Sequence, residues 1–315
     1  MSHHPTRARL GAAVAILAAA LLAAPAAATA APSQNGLENG IERHVPAHAA
    51  SAAAYWTPER MRSAIPAEVL VADDARRAKD RPVKQVEAGA PMEVRAQKPK
   101  PNATQVSPIS YVGKVFFTLN GGNYVCSGNA VSSANELTVS TAGHCVNEGG
   151  GAYASRWIFV PAYNNGAAPY GQWTATELVT TSAWAQRGDI SYDGAFAVMA
   201  PLNGRTLSDT VGATGIAFNL ARGLSYTAYG YPAASPFNGQ TLQRCAGTAK
   251  PDPYGQSQSQ GIPCDMTGGS SGGPWFTSSG VQNSVNSFGY TAVRNTMFGP
   301  YFGSAIQQAY QSAAN

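Results

Sequence analysis

From Tyr111 onward the chain is a succession of short β-branched and aromatic runs, each cut off within a few residues by Gly, Pro or Asn. A long helix cannot cross such interruptions, whereas short strands are bounded by them. The runs fall at 113–119, 124–128, 137–141, 157–160, 173–179, 195–199, 228–231, 242–247, 273–276 and 285–291. Asn120-Gly121-Gly122-Asn123 between the first two is hairpin-turn chemistry. Short strands at this spacing predict an all-β barrel or sandwich. Only 302–312 changes period, with Phe302, Ile306 and Tyr310 each four apart, and predicts one terminal helix.

The first hundred residues have another character. Arg7 and Arg9 precede an apolar stretch at 10–22, and Ala28-Thr29-Ala30 comes after it as a small-residue cleavage site, so 1–30 is expected to be an export signal. Thirteen apolar residues fall short of the ~20 that a bilayer core requires, and Pro25 interrupts the alanines that would extend them. Residues 31–107 carry eleven Lys/Arg and nine Asp/Glu, against eight of each in 108–315. The formal charge of +4 and pI of 8.9 therefore arise outside the C-terminal part, and give no reason to expect nucleic-acid binding. Thr57-Pro58-Glu59 is a helix start: a capping hydroxyl, Pro at the first helical position and an acid in the first turn. The Pro- and Lys-rich stretch 82–108 reads as an extended linker. An exported chain of this kind is expected to carry 31–107 as a propeptide, the other reading being a plain N-terminal tail.

Chemistry concentrates in Thr267-Gly268-Gly269-Ser270-Ser271-Gly272-Gly273-Pro274. A serine hydroxyl is a poor nucleophile unless a base takes its proton and donors receive the oxyanion that forms. Ser271 is the expected nucleophile, and the flexible glycine turn lets the N–H groups of Gly269 and Ser271 converge as an oxyanion hole. The base is expected at His144: the other four histidines, His3, His4, His44 and His48, lie in the N-terminal segments expected to be removed. A carboxylate should fix the tautomer of that histidine. Asp193, at the mouth of the apolar run 195–198, is favoured over Asp189, which precedes a less apolar run.

The order His, Asp, Ser, the Thr-Ala-Gly-His-Cys run at 141–145 and the Gly-Ser-Ser-Gly-Gly-Pro run at 269–274 together resemble the chymotrypsin-like serine peptidases. With Pro161-Ala162-Tyr163-Asn164 and Pro169-Tyr170-Gly171-Gln172-Trp173, the likeness is to their bacterial secreted branch, which contains the glutamyl endopeptidases. It covers about 108–312. The resemblance implies two six-stranded antiparallel β-barrels with the triad in the cleft between them, the C-terminal helix being expected on the second barrel. Four cysteines allow three pairings. Cys126 with Cys145 is the pair the resemblance implies, and Cys245 with Cys264 would close a loop beside the nucleophile. No metal is expected, since no His or Cys pair has ligand spacing, and acyl transfer by this constellation needs no cofactor. Substrate would be met by the Ser287-Phe288-Gly289 strand. Asp265, six residues before Ser271, stands where a trypsin-like pocket carries its acid, and points to a basic P1 residue ahead of an apolar one. Asn286 replaces the histidine that the glutamyl-specific branch uses. In digestive members an Asp before the nucleophile pairs with the new N-terminus; here that residue is Ser270, so activation is expected to rest on removal of 31–107.

The function expected is a secreted, monomeric serine endopeptidase acting on proteins or peptides, with no membrane attachment once the signal is gone. Two other classes compete: a catalytically silent binding protein on the same scaffold, whose usual sign is a missing triad residue, and an esterase, whose nucleophile normally sits on a strand-to-helix elbow of an α/β sheet.

Overall fold

The computed structural model describes residues 40–70, 89–94 and 109–315. The export signal expected at 1–30 lies outside the described residues, as does the 82–108 stretch apart from 89–94.

Among the described residues, the short strands and helices before the first barrel are β1 (Ile41–His44), α1 (Ala52–Tyr55), α2 (Pro58–Ser63), β2 (Ile65–Pro66) and β3 (Met92–Val94), with 3-10 turns at Ala49–Ser51 and Ala67–Leu70. Thr57 caps α2 by accepting the Arg60 N–H at 3.4 Å, with Pro58 at the first helical position. The barrel strands are β4 (Val112–Leu119), β5 (Gly122–Ala130), β6 (Thr138–Thr141), β7 (Ser155–Pro161), β8 (Trp173–Thr181) and β9 (Ala195–Met199). They close in the order β7-β4-β5-β6-β9-β8, with β8 returning to β7. Asn120 and Gly121 join β4 to β5 with φ of 47° and 81°. Two consecutive positive φ values give a hairpin turn whose twist matches that of the strands.

All eight residues of β4 are buried, although a barrel strand normally shows one face to water. Val115, Phe117 and Leu119 face the barrel interior, while Val112 and Phe116 pack outward against Ala52, Trp56 and Met61. The N-terminal segment therefore covers the outside of the first barrel. β1 extends the sheet by pairing with β8, and the Arg43 guanidinium holds the Glu177 carboxylate in a two-pronged contact of 2.6 Å for each nitrogen.

After α3 (Ser182–Arg187) and α4 (Leu207–Val211) come β10 (Ile216–Phe218), β11 (Ser225–Gly230), β12 (Gln243–Thr248), β13 (Lys250–Pro251), β14 (Gln260–Pro263), β15 (Pro274–Thr277), β16 (Gln282–Val285) and β17 (Thr296–Gly299). This second barrel is assembled from two ladders, β12-β11-β15-β16-β10-β3 and β13-β14-β17, rather than from one closed ring of six. They share a core of Tyr226, Ala228, Ile262, Trp275 and Met297, and the Cys245–Cys264 disulfide ties β12 to the end of β14. The barrel strands pair antiparallel except where β10 joins β16 in parallel through Ile216 and Gln282, and outside the barrels β2 lies parallel to β5. The terminal helix α5 (Ser304–Ala314) departs from expectation too. It packs on β8 and β9 of the first barrel, because its stripe of Ile306 and Tyr310 meets Phe196, with Phe302 stacked on Phe218 of β10.

Candidate active site

His144 sits in a 3-10 turn, Gly143–Cys145, directly after β6. Strand pairing of β6 with both β5 and β9 fixes where that turn emerges, and the Cys126–Cys145 disulfide pins it to β5. The imidazole is fully buried, with the Trp184 ring edge-on at 6.3 Å. Gly143 is required for this packing: a Cβ there would lie 2.7 Å from Trp184 Cδ1 and 2.8 Å from Asp193 Oδ1.

Asp193 succeeds the 3-10 turn Ile190–Tyr192 and enters β9 with no exposed surface. Its Oδ2 lies 2.8 Å from His144 Nδ1, its Oδ1 accepts the His144 backbone N–H at 2.7 Å, and the Ser287 hydroxyl donates to Oδ2. Held by these contacts, the carboxylate fixes both the ring's position and its tautomer. Burial works against charging of the imidazole, but Asp193, by charge and by hydrogen bond, and more weakly Glu68 outweigh it and hold the group above its ordinary value. Asp189, the competing acid, turns away: it caps the turn after it by accepting the Ser191 N–H at 3.1 Å.

Ser271 is 2% exposed in the tight turn between Thr267 and Pro274. Gly269 has φ 94° and Gly272 φ 80°, conformations that side chains rarely adopt. A Cβ on Gly272 would also collide with Thr141 Oγ1 and Ser127 O. Two buried polar residues that sequence reasoning did not single out as holding this turn do so. The Ser127 hydroxyl donates to Gly269 O at 2.9 Å and accepts the Tyr231 N–H at 2.9 Å. The Asn286 amide donates to Ser270 O at 3.0 Å and Tyr229 O at 2.8 Å, and accepts the Trp275 indole N–H at 2.8 Å. Ser270 donates its own hydroxyl to Thr267 O at 2.8 Å. His144 Nε2, the atom that would face Ser271, makes no hydrogen bond in this form of the chain.

The residues expected to meet substrate are divided. Ser287 and Phe288 are buried on an extended rail beyond β16, with both N–H groups donating to Phe298 O at 2.9 and 3.3 Å. The Phe288 ring lies with Trp184, Ile190 and Phe298, while Gly289 is exposed. Asp265 is exposed, so it supplies no buried carboxylate to a basic side chain. A residue that sequence reasoning left aside comes instead to the nucleophile turn: Glu68 Oε2 accepts the Gly269 N–H at 3.1 Å. Burial pushes its carboxyl above the usual range, against the pull of His144 and of the Gly269 N–H.

Cys126, His144 and Cys145 are close enough to suggest a metal cluster. They do not fit one: both sulfurs are spent in a disulfide, and His144 Nδ1 faces Asp193. No family model matches the sequence. Among solved structures, the protease Anisep from Arthrobacter nicotinovorans is 62% identical, over 66% of this chain and 97% of its own, with a TM-score of 0.64. A thermostable serine protease, AL20, from an extremophilic microorganism is 55% identical over 66% and 98%, with a TM-score of 0.63. A Glu endopeptidase shares the fold at 20% identity, covering 69% and 95%, with a TM-score of 0.53. An extracellular metalloprotease of Bacillus subtilis is 36% identical over 70 residues, and the chain spans about a fifth (21%) of that relative's length.

Proposed function

The chain belongs to the chymotrypsin-like serine peptidases, and from that premise we propose that it is an exported endopeptidase that cleaves through an acyl-enzyme on Ser271. His144 Nε2 takes the Ser271 proton as Oγ attacks the scissile carbonyl, and returns it to the leaving amine. Asp193 holds the ring in the tautomer that leaves Nε2 free to accept and stabilises the imidazolium. The N–H groups of Gly269 and Ser271 receive the oxyanion. Water then repeats the sequence to release the acid. The Ser271–His144 hydrogen bond forms when substrate seats, since catalytic contacts commonly close only in the substrate complex.

The observation that carries this reading is the Asp193 carboxylate, buried without exposure and shared among the His144 ring, the His144 backbone and Ser287. Such a group is costly unless the histidine it orients is needed. On this reading 1–30 directs export, 31–107 is a propeptide and 108–315 is the peptidase. The test is to incubate the exported protein with a fluorophosphonate probe, a denatured protein and a simple ester. Labelling at Ser271 with cleavage of the denatured protein is the expected outcome. Binding without labelling would mean a silent scaffold, and ester turnover alone an esterase.

A further inference from the structure

The stretch Ile65–Leu70 reaches the candidate site from outside the barrels. Ile65 and Pro66 add to β5 opposite Tyr124 and Val125, and the chain then tightens into a 3-10 turn at Ala67–Leu70. Ala67, with no exposed surface, packs into the core beside the His144 turn. That turn aims the next side chain, Glu68, at Gly268 and Gly269. The approach is close: a Cβ on Gly268 would run into the Glu68 carboxylate and lie 2.6 Å from Pro66 Cβ. At Gly269 the carboxylate oxygen takes the N–H expected to receive a substrate oxyanion. A carboxylate oxygen there occupies the donor that would otherwise receive the oxygen of a tetrahedral intermediate.

The rest of the segment is built to hold that contact. Trp56 is 1% exposed, lies 5.4 Å from the Phe116 ring and donates its indole N–H to Arg156 O at 2.7 Å. Tyr55 donates its hydroxyl to Asn123 Oδ1 at 2.9 Å, and Met61 fills the same outward face of β4 and β5. β1 adds a strand pairing and the Arg43–Glu177 ion pair. A plain tail would need none of these, and without the segment the cluster of Val112, Phe116 and Val125 would lose Ala52, Trp56 and Met61 while keeping Tyr163 and Tyr231.

We propose that the outward face of β4 and β5, together with Gly268, Gly269 and the His144 turn, is a docking surface for the chain's own segment 41–70, with the Glu68 carboxylate blocking the oxyanion site. The ligand class is a peptide of balanced charge with an aromatic anchor, Trp56, and a single carboxylate, Glu68, placed at the site. The block rests on the reading of Ser271 as nucleophile, but the docking does not. Substrate carbonyl oxygen and Glu68 compete for one N–H, so the unprocessed chain cannot stabilise a tetrahedral intermediate while Glu68 is seated.

Two measurements on the full chain separate the ideas. In a Ser271→Ala background, which cannot cut itself, hydrogen–deuterium exchange over 267–270 is compared with and without Glu68→Ala. Faster exchange at that turn, with barrel strands unchanged, is expected; identical rates would show that Glu68 does not guard the Gly269 N–H. With Ser271 intact, fluorophosphonate labelling of the uncleaved band is timed on a gel for wild type, Glu68→Gln and Glu68→Ala. The Ala variant should label at least about tenfold faster than wild type, the loss of one oxyanion-site competitor being of that order or larger. The Gln variant, which keeps an uncharged acceptor and the shape, should fall between them. Equal labelling of all three uncleaved bands overturns the block even if exchange changes. If no band labels in any variant, cleaved or not, the nucleophile assignment fails instead, and the exchange result still decides the docking. Unchanged thermal melting of Glu68→Gln controls for misfolding.

Discussion

Replacing Asp193 by Asn tests the catalytic reading most sharply, because it removes a charge while keeping the shape. Asp193 now accepts from the His144 backbone N–H, faces His144 Nδ1 and receives the Ser287 hydroxyl. Asparagine keeps one acceptor oxygen and presents an NH2 in place of the other. If the NH2 faced the backbone N–H, two donors would meet at about 2.7 Å and a buried donor would lose its partner, costing about 1–3 kcal/mol. The amide therefore turns its NH2 toward the ring, where the Ser287 hydroxyl can reorient to accept. His144 Nδ1 must then accept, its proton moves to Nε2, and Nε2 can no longer take a proton from Ser271. The expected loss in kcat is about 10⁴-fold, the effect of the wrong histidine tautomer in this kind of triad. That corresponds to about 5.4 kcal/mol of transition-state stabilisation. The assay is kcat on a peptide substrate, normalised to sites counted by probe titration. A loss smaller than about tenfold would refute the reasoning, as would an equal loss in Asp189→Asn, since Asp189 only caps its own turn.

Ser271→Ala should abolish probe labelling, whereas Ser270→Ala should keep it at a stability cost of about 1 kcal/mol, its hydroxyl serving only Thr267 O; labelling that tracks Ser270 instead would shift the nucleophile by one residue. Asp265→Ala should leave a peptide-library cleavage profile unchanged, because the carboxylate is exposed, and a lost preference for Arg or Lys would bring it back into the pocket. Replacing Cys245 and Cys264 by Ser should lower unfolding stability by about 3 kcal/mol for a loop with a sequence separation of 19; denaturant melts as stable as the parent would show the loop held by other contacts. In the pH profile, activity needs neutral His144. Asp193 holds its pKa above the ordinary value, so kcat should fall as pH drops through a midpoint above about 6.5, and a midpoint below that value would contradict the Asp193 contact.

The parts of the site that could be read in the sequence are those whose chemistry restricts residue type. Few histidines compete for the role of base, the Ser-flanking glycines are unusual, and an acid before a buried strand needs a partner; the structure brings His144 and Asp193 together and leaves Asp189 to its turn. The strand runs were readable for the same reason, since Gly, Pro and Asn punctuate them. What escaped depends on the meeting of distant segments. Ser127 is one serine among many until β5 is laid beside the 267–273 turn, and Glu68 reaches Gly269 across 201 residues of chain. The helix α5 was recognisable from its period, but the period does not say which barrel offers the complementary groove; Phe196 of β9, which meets Tyr310, decides that. Strands β14 and β17 were missed because Gln260–Pro263 and Thr296–Gly299 are short and carry Gly or Pro, so their pairing comes from the fold and not from local preference.

The residues around the nucleophile turn also bear on how such a precursor can become active. Where an aspartate before the nucleophile must bind a new N-terminus, cleavage assembles the oxyanion hole. Here Ser270 cannot make that ion pair, and it is already bonded to Thr267 O through its hydroxyl and to Asn286 through its carbonyl. Gly272 N–H donates to Asn286 O at 2.8 Å and Ser127 N–H to Ser271 O at 2.7 Å, so the backbone on both sides of the nucleophile is held by groups within 109–315. Gly269 already has its positive φ, with its N–H turned toward an anionic oxygen. On the proposed reading, a turn held this way receives an oxyanion once its present occupant, Glu68, leaves. On the proposed docking, activation depends on undocking 41–70, and the groups that set its threshold are the Trp56 anchor, the Arg43–Glu177 pair and Glu68.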